Sequence, residues 1–592
     1  MSITEGVDAA TLGKLREDFR GQLILPGDRD YDASRIVWNA VADRYPALIA
    51  RCTRVEDVIA AVRFAREHDL VIAVRGGGHS VAGFSTCDAG IVIDLSGMRA
   101  VQIDPATRTA RVQGGALLEQ LDRAAQEYGL ACPVGVVGHT GAGGLTLGGG
   151  MAASSASTAT RSTTCSRSIS ITADGALHHV SEDDDPELFW GLRGGGANFG
   201  IATMFEFQLH PIGPNVTTAV VVFPIERARE AAAVYRELFG SAPDHMHLGL
   251  SFATAPGGRA TTPGQRGAAT VAVGAAHVGD QRDAERDLRP LRGHVEPILE
   301  TLTPTTYLAL QKMSDDEMPW GKRFYMKGAF LDELSDAAVD EMATQASTAP
   351  GGCSIGLWAQ GGATRRVDEN AMAFTGRGAA YWLGAEAFWV DKNQDRDHIA
   401  WGRAAMGAIR PFTRAGQYVN DVVEQGDDVV RGIYGDMKYD RLRALKRKND
   451  PDNVFRLNQN IRPVAGGIAL SSGGTLPVTA ADAGRAKGRK PRWQTTARSS
   501  SNSCGPWMRT TSRPRSGCSP TTSLRSTRSP ASVSAEKRIG ARSSRTIPEE
   551  CRERRARPGR ARSRPSSQAP AIASQRQARS PIRTVRPGRS SR

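Results

Sequence analysis

Arg75-Gly76-Gly77-Gly78-His79-Ser80 lies between two apolar runs, Val71–Val74 and Ile91–Leu95, and this six-residue loop constrains the fold most. The flanking runs predict short buried strands. Three consecutive glycines carry no Cβ, so the backbone can reach positive φ and bring its N–H groups close to a phosphate or a flat ring. His79 ends the loop and places an imidazole beside whatever the glycines hold. A second glycine-dense loop, Gly135–Gly150, contains Thr140, Gly141, Gly143, Gly144, Leu145, Gly148 and Gly149. Backbone N–H groups in such a loop suit a pyrophosphate.

Two further blocks follow in order, Leu188–Thr203 with its Arg193-Gly194-Gly195-Gly196 core, and Asn449–Ile461. Together with Cys87-Asp88-Ala89-Gly90 and the two loops, they resemble the FAD-linked oxidases of the berberine bridge enzyme-like and p-cresol methylhydroxylase (PCMH) group over roughly residues 20 to 465. The resemblance implies an α+β fold: a PCMH-type FAD-binding domain of two α/β subdomains, and a substrate domain whose antiparallel sheet is covered by helices. It implies FAD bonded covalently through His79. It also assigns to the cofactor Arg75, Gly76, Gly77, Gly78 and Ser80 of the first loop, Gly83 beyond it, and the seven named residues of the second. Gly200, Ile201, Asn420 and Asn458 complete that set. Some members add a second link to a cysteine. That position falls on Val137 here, with Cys132 five residues earlier, so a single link through His79 is expected.

The expected organisation is an N-terminal lead-in (1–45), the FAD domain (46–215), a substrate domain (216–415), a returning segment (416–465) and a tail (466–592). Helical spacing appears in 56–66 and 117–128, and strand patterns in 71–74, 91–95 and 109–113. No Gly-x-Gly-x-x-Gly opens a helix after the first strand, which argues against a nicotinamide-binding Rossmann unit. Farther on, 217–223 and 381–390 predict strands, and 225–239 and 334–346 predict helices. Alternation along 381–390 puts Tyr381, Leu383, Ala385, Ala387 and Trp389 on one face, and Trp382, Gly384, Glu386 and Phe388 on the other. Glu386 is then either a solvent-facing charge or a polar group aimed at substrate.

The net charge of +14 is unevenly spread. Residues 466–592 hold 28 Lys/Arg against 5 Asp/Glu, which leaves residues 1–465 at −9. The tail is rich in Arg, Ser and Pro without apolar periodicity, and disorder is expected. It is either a non-specific binder of polyanions such as nucleic acid or sequence read past the usual stop in a shifted frame. The eight cysteines show no metal-ligand spacing and no Cys-x-x-Cys, so no metal site is expected and reduced thiols are. No run of about 18 apolar residues and no signal-peptide pattern occurs, so a cytoplasmic protein without membrane association is expected.

One stretch departs from the family. After Met151 a Gly-Arg-Leu-x-Arg-Lys-x-Gly type segment is expected, but residues 152–168 run Ala-Ala-Ser-Ser-Ala-Ser-Thr-Ala-Thr-Arg-Ser-Thr-Thr-Cys-Ser-Arg-Ser. GC-rich codons for this run, re-read one base out of register, can encode the missing segment. A pair of compensating frameshifts bracketing 152–168 is therefore expected, with loss of part of the flavin-binding wall, and the family pattern resumes at Ile169.

Oxidation by flavin needs a hydride delivered to its N5 and a base for the substrate's proton. Plant members of the family carry Tyr-x-Asn-Tyr where this chain has Tyr418-Val419-Asn420-Asp421, and the second tyrosine is taken as the base there. Asp421 stands at its position. A carboxyl near an apolar ring has a raised pKa and can act as base, or it simply caps the loop. Tyr418 is the alternative base. The expected activity is oxidation of an alcohol, amine or sugar-like small molecule with O2 as acceptor. The alternatives are a same-fold dehydrogenase using another acceptor, and a decayed, non-catalytic relative.

Overall fold

The computed structural model describes residues 9–133, 135–151, 164–254 and 267–464. Its first sheet contains β1 (Gln22–Ile24), β2 (Leu48–Arg51), β3 (Ile72–Arg75) and β4 (Ile91–Asp94), in the order β1-β2-β4-β3. β2, β4 and β3 run parallel, and each is an almost unbroken apolar run because both faces are covered. The helix Val55–Glu67 lies between β2 and β3 in the chain and buries Val58, Ala61, Val62 and Ala65, a three-and-four spacing that lays one stripe on the core. The β3–β4 register sets Arg75 opposite Asp94 at the strand ends, where the first glycine loop begins.

The next strands are β5 (Val101–Asp104), β6 (Thr109–Gln113), β7 (Leu130–Ala131), β8 (Cys165–Ile171), β9 (Leu177–Ser181) and β10 (Ile201–Gln208). Five of them form an antiparallel sheet in the order β5-β6-β10-β8-β9, while β7 pairs with β11 (His210–Pro211). The departing stretch is thus regular at its end. β8 starts at Cys165, four residues before the family pattern was expected to resume, and Arg167 and Ser168 are paired with both β9 and β10. Cys165 and Ser168 are buried, so this part does carry an inward-facing pattern. Residues 152–163 lie outside the described residues, as does the tail from 465 onward.

The third sheet has seven antiparallel strands: β12 (Asn215–Pro224), β13 (Met246–Thr254), β14 (Ala269–Val278), β15 (Leu299–Thr306), β16 (Arg323–Leu331), β17 (Cys353–Ala359) and β18 (Tyr381–Trp389). Their order is β15-β12-β14-β13-β17-β18-β16. Helices Ala228–Ser241, Asp336–Ser347 and Asp395–Ile409 cover one face and share its core with Leu383, Ala385 and Ala387. The first of these helices is preceded by a 3₁₀ turn, Ile225–Arg227. The α+β expectation holds, and β18 alternates as predicted, with its odd-numbered residues buried against the helices. The face carrying Trp382 and Glu386 is turned toward the segment at 418–421, where Trp382 Nε1 meets Asp421.

After the sheet the chain returns. The helix Asp427–Asn449 leads to the segment ending at Ile461, and a fully buried ion pair, Lys446 Nζ to Asp450 at 2.7 Å, pins the turn between them. Lys446 also donates to Asn198 O and Phe455 O, both at 2.8 Å. Asp450 accepts from the N–H groups of Val454 and Phe455. This pair fastens the returning segment to the Gly194–Gly200 run.

Candidate active site

The two glycine loops meet back to back. A Cβ on Gly77 would lie 2.3 Å from Gly141 N, and one on Gly141 would lie 2.3 Å from Gly77 N. Only glycine permits that approach. Gly78 follows at φ +72°, which turns the loop so that His79 faces inward. The loops border a cleft of about 300 Å³, which the returning segment and the loop at 418–421 also line.

Most of the expected cofactor residues line this cleft. Gly76, Gly77, Gly78, His79 and Ser80 come from the first loop. Thr140, Gly141, Gly143, Gly144 and Leu145 come from the second. Gly200, Ile201, Asn420 and Asn458 close it, together with Tyr418 and Asp421. Four others stand behind the wall. Arg75 is buried, pairs with Asp94 at 2.8 Å and donates to Ser34 O and Ile36 O, so it braces the strand ends. Gly83 closes the first loop through its N–H to Ser80 O. Gly148 leaves room for the Asn420 amide, whose atoms would lie 2.2–2.4 Å from a Cβ. Gly149, at φ +119°, does the same for the Phe374 ring. Cys132 is fully buried and does not line the cleft.

His79 is held from three sides. Its ring stacks on Trp38 with centroids 4.6 Å apart, meets Trp320 edge-on, and presents Nε2 to His139 Nδ1 at 2.6 Å. Burial, helped by His139, pushes its pKa down to about 3. It is therefore a neutral imidazole, with a lone pair on one ring nitrogen. Trp38 and Trp320 could not be assigned from sequence, because they arrive from the lead-in and from the loop before β16. His139 was visible inside the second loop, but its partner was not.

The opposite end carries carboxyls. Asp421 is buried and accepts a 2.7 Å hydrogen bond from Trp382 Nε1. Its pKa lies well above the usual carboxyl range, because burial and then nearby Glu386 outweigh that bond. Glu386 is half-buried on the same sheet face, and desolvation pushes its pKa up to about 7. Of its two expected settings, the solvent-facing one is not what the fold provides. A strand glycine makes room for Asp421: a Cβ on Gly328 would lie 2.4 Å from Asp421 Oδ2, whereas one on its register partner Gly384 would meet Glu386 Oε1 at an ordinary contact distance of 3.4 Å. Tyr418 is buried as a phenol with a raised pKa, and its oxygen accepts from Asn420 Nδ2 at 2.8 Å. Trp382 packs against Trp358 at 4.4 Å and edge-on to Tyr418, which gives this end an aromatic wall.

A flat, phosphate-bearing cofactor fits these residues. The glycine cradle cannot hold a Cβ, and Asn458 presents a buried Oδ1 without a partner among the described residues while its Nδ2 donates to Ala197 O and Phe455 O.

A family model described as "FAD binding domain" matches residues 46–181, and one described as "Berberine and berberine like" matches 417–462. An FAD-linked oxidoreductase of Dictyostelium discoideum is 30% identical over 454 residues, spanning 76% of this chain and 96% of the relative. The chain belongs to the berberine bridge enzyme-like family of FAD-linked oxidoreductases, and it is an FAD-dependent oxidoreductase acting on a small molecule. Among its relatives, (R)-6-hydroxynicotine oxidase of Paenarthrobacter nicotinovorans is 30% identical over 461 residues, covering 75% of this chain and 97% of that one. The crystal structure of 6-hydroxy-D-nicotine oxidase from Arthrobacter nicotinovorans superposes with a TM-score of 0.67 at 27% identity, covering 75% of this chain and 98% of the other. Among the described residues, no helix is long and apolar enough to cross a membrane. The five described cysteines are all buried.

Proposed function

We propose that this protein is an oxidase for a small amine or alcohol, with FAD attached through His79 alone and reoxidised by O2. The observation that carries the proposal is the shared cleft, which has the neutral His79 in one wall and the buried Asp421 in another. FAD, when bound, supplies the hydride acceptor. The glycine loops hold and orient it, and Asn458 Oδ1 offers an acceptor to a donor on it. His79 meets the requirement for a covalent anchor, since only an unprotonated imidazole is nucleophilic. Val137 and the remote Cys132 support a single link.

Asp421 and Glu386 serve as the proton acceptor. Burial raises the pKa of both carboxyls and Glu386 raises that of Asp421 further, so the pair supplies a negative charge at higher pH than ordinary carboxyls do. That charge takes the substrate's N–H or O–H proton, and Trp382 aims Asp421 at it. Tyr418, held as a phenol, positions substrate instead of acting as base. The aromatic wall of Trp358, Trp382 and Tyr418 suits a ring-bearing substrate, and the 6-hydroxynicotine oxidase relative supports testing cyclic amines first.

The test is the colour of acid-precipitated protein. The wild-type pellet should stay yellow and His79→Ala should release its flavin. Anaerobic mixing with amines, alcohols and sugars should then bleach the flavin with one class, and air should restore it. A colourless wild-type pellet refutes the covalent link, and purified protein that cannot bind FAD at all refutes the whole proposal.

A further inference from the structure

Away from the cleft, three groups converge at one end of the large sheet. His245 immediately precedes β13, His277 is the penultimate residue of β14, and Asp287 ends the helix Gln281–Asp287. None of them lines the flavin cleft. His245 Nε2 lies 2.8 Å from His277 Nε2, Asp287 Oδ2 lies 3.2 Å from His277 Nε2, and Asp287 Oδ2 lies 3.9 Å from His245 Nε2. The antiparallel register that sets Met246 against His277 brings the two histidines together, and the two rings meet edge to face with centroids 4.4 Å apart.

Hydrogen bonding satisfies this triangle only if one hydrogen on His277 Nε2 is shared between Asp287 Oδ2 and the lone pair of His245 Nε2. His277 Nε2 faces two partners, and a ring nitrogen carries either one hydrogen or one lone pair. If it donates to Asp287, it has nothing to accept a hydrogen from His245. If it accepts from His245, it has nothing to give Asp287. A cation at the centre removes the need for sharing, because all three atoms then present lone pairs. The dimensions fit. A tetrahedral shell with bonds of about 2.05 Å has edges of about 3.3 Å, and the three separations bracket that value.

The surroundings fit as well. His277 is 1% exposed, and its Nε2 is turned toward both other groups. His245 is 43% exposed and opens the fourth position to water. Arg286 Nε binds Asp287 Oδ1 at 2.8 Å and holds the carboxylate with Oδ2 toward the histidines, as outer partners of metal ligands commonly do. Arg286 Nη2 also reaches Oδ2 at 3.2 Å, and Arg286 is tied in turn to Asp283. The exposed guanidinium must release Oδ2 when a cation enters.

We infer that His245, His277 and Asp287 form a site for one imidazole-seeking divalent transition-metal ion, Zn²⁺ being the probe of choice, with a fourth position open to solvent. Two imidazoles and one carboxylate suit Zn²⁺, Ni²⁺ or Cu²⁺ over Mg²⁺ or Ca²⁺, which prefer all-oxygen shells. The ion would tie the start of β13 and the Gln281–Asp287 helix to the end of β14.

The experiment uses the full chain with its flavin, stripped with chelator and dialysed against Zn²⁺. Elemental analysis should find one more Zn²⁺ per chain in the wild type than in His245→Ala, a substitution at a half-exposed side chain that leaves the flavin spectrum as a check of folding. Asp287→Asn should weaken binding at least tenfold. Co²⁺ in place of Zn²⁺ should give visible bands to the red of the flavin in the wild type only. Zn²⁺ should raise the melting temperature of the wild type and not that of His245→Ala. Equal metal content in the two proteins, or no retained metal in either, overturns the inference.

Discussion

Replacing Trp382 by Phe should move the titration of Asp421 upward. The indole Nε1–H donates to Asp421 Oδ2 at 2.7 Å, and it is the one contribution that draws this buried carboxyl's pKa down, against burial and Glu386. A hydrogen bond to a charged group contributes about 1.5–3 kcal/mol. At 1.36 kcal/mol per pK unit, its loss raises the pKa by roughly 1–2 units. Phe keeps an aromatic ring against Trp358, so packing is largely preserved. The assay is the carboxylic-acid C=O stretch in pH-difference infrared spectra, with Asp421→Asn identifying the Asp421 band. In Trp382→Phe that band should persist to a pH roughly 1–2 units higher. A midpoint that stays put or falls refutes the assignment of Trp382 as the partner that holds Asp421 ionisable.

Lys446→Met leaves Asp450 charged and fully buried with only two N–H partners, which should cost about 3–5 kcal/mol; denaturant unfolding followed by flavin release measures it. Gly77→Ala forces a Cβ to 2.3 Å from Gly141 N and should cost about 1–3 kcal/mol or more while abolishing FAD binding, read from melting curves and bound-flavin absorbance. Glu386 has a folded pKa of about 7 against an ordinary 4.5. Its stabilising contribution is therefore complete below pH 4.5 and is lost as pH rises through about 7. Glu386→Gln should flatten the stability–pH curve across that window.

The parts of the site that were legible in the sequence are those built from consecutive residues. The Arg75–Ser80 loop, the Gly135–Gly150 loop and the strands beside them could be recognised because glycine runs and apolar runs are local signals. The packing of Trp38 and Trp320 around His79 was not legible, since aromatic residues in a lead-in and in a loop resemble ordinary core anywhere. Strand alternation put Glu386 on a face with Trp382 but could not say that this face looks toward the cleft. A usable signal was present nearby: Gly328 interrupts an otherwise good strand, and glycine inside a strand marks the close approach of another group, here Asp421. His245, His277 and Asp287 lie 32 and 10 residues apart in succession, a spacing that matches no ligand motif; only sheet register and the following helix bring them together.

The cleft is assembled from both ends of the body. His79 and its glycines emerge early from the ribosome, whereas Phe455, Leu457, Asn458 and Gln459 complete the same walls hundreds of residues later. The buried Lys446–Asp450 clasp that seats those late residues also has to be synthesised first. Cofactor loading is therefore an event of the finished chain. A nascent or prematurely terminated polypeptide that stops short of this clasp carries His79 but lacks the late walls of the cleft, so production of coloured protein reports on completion of the body and not only on the supply of FAD.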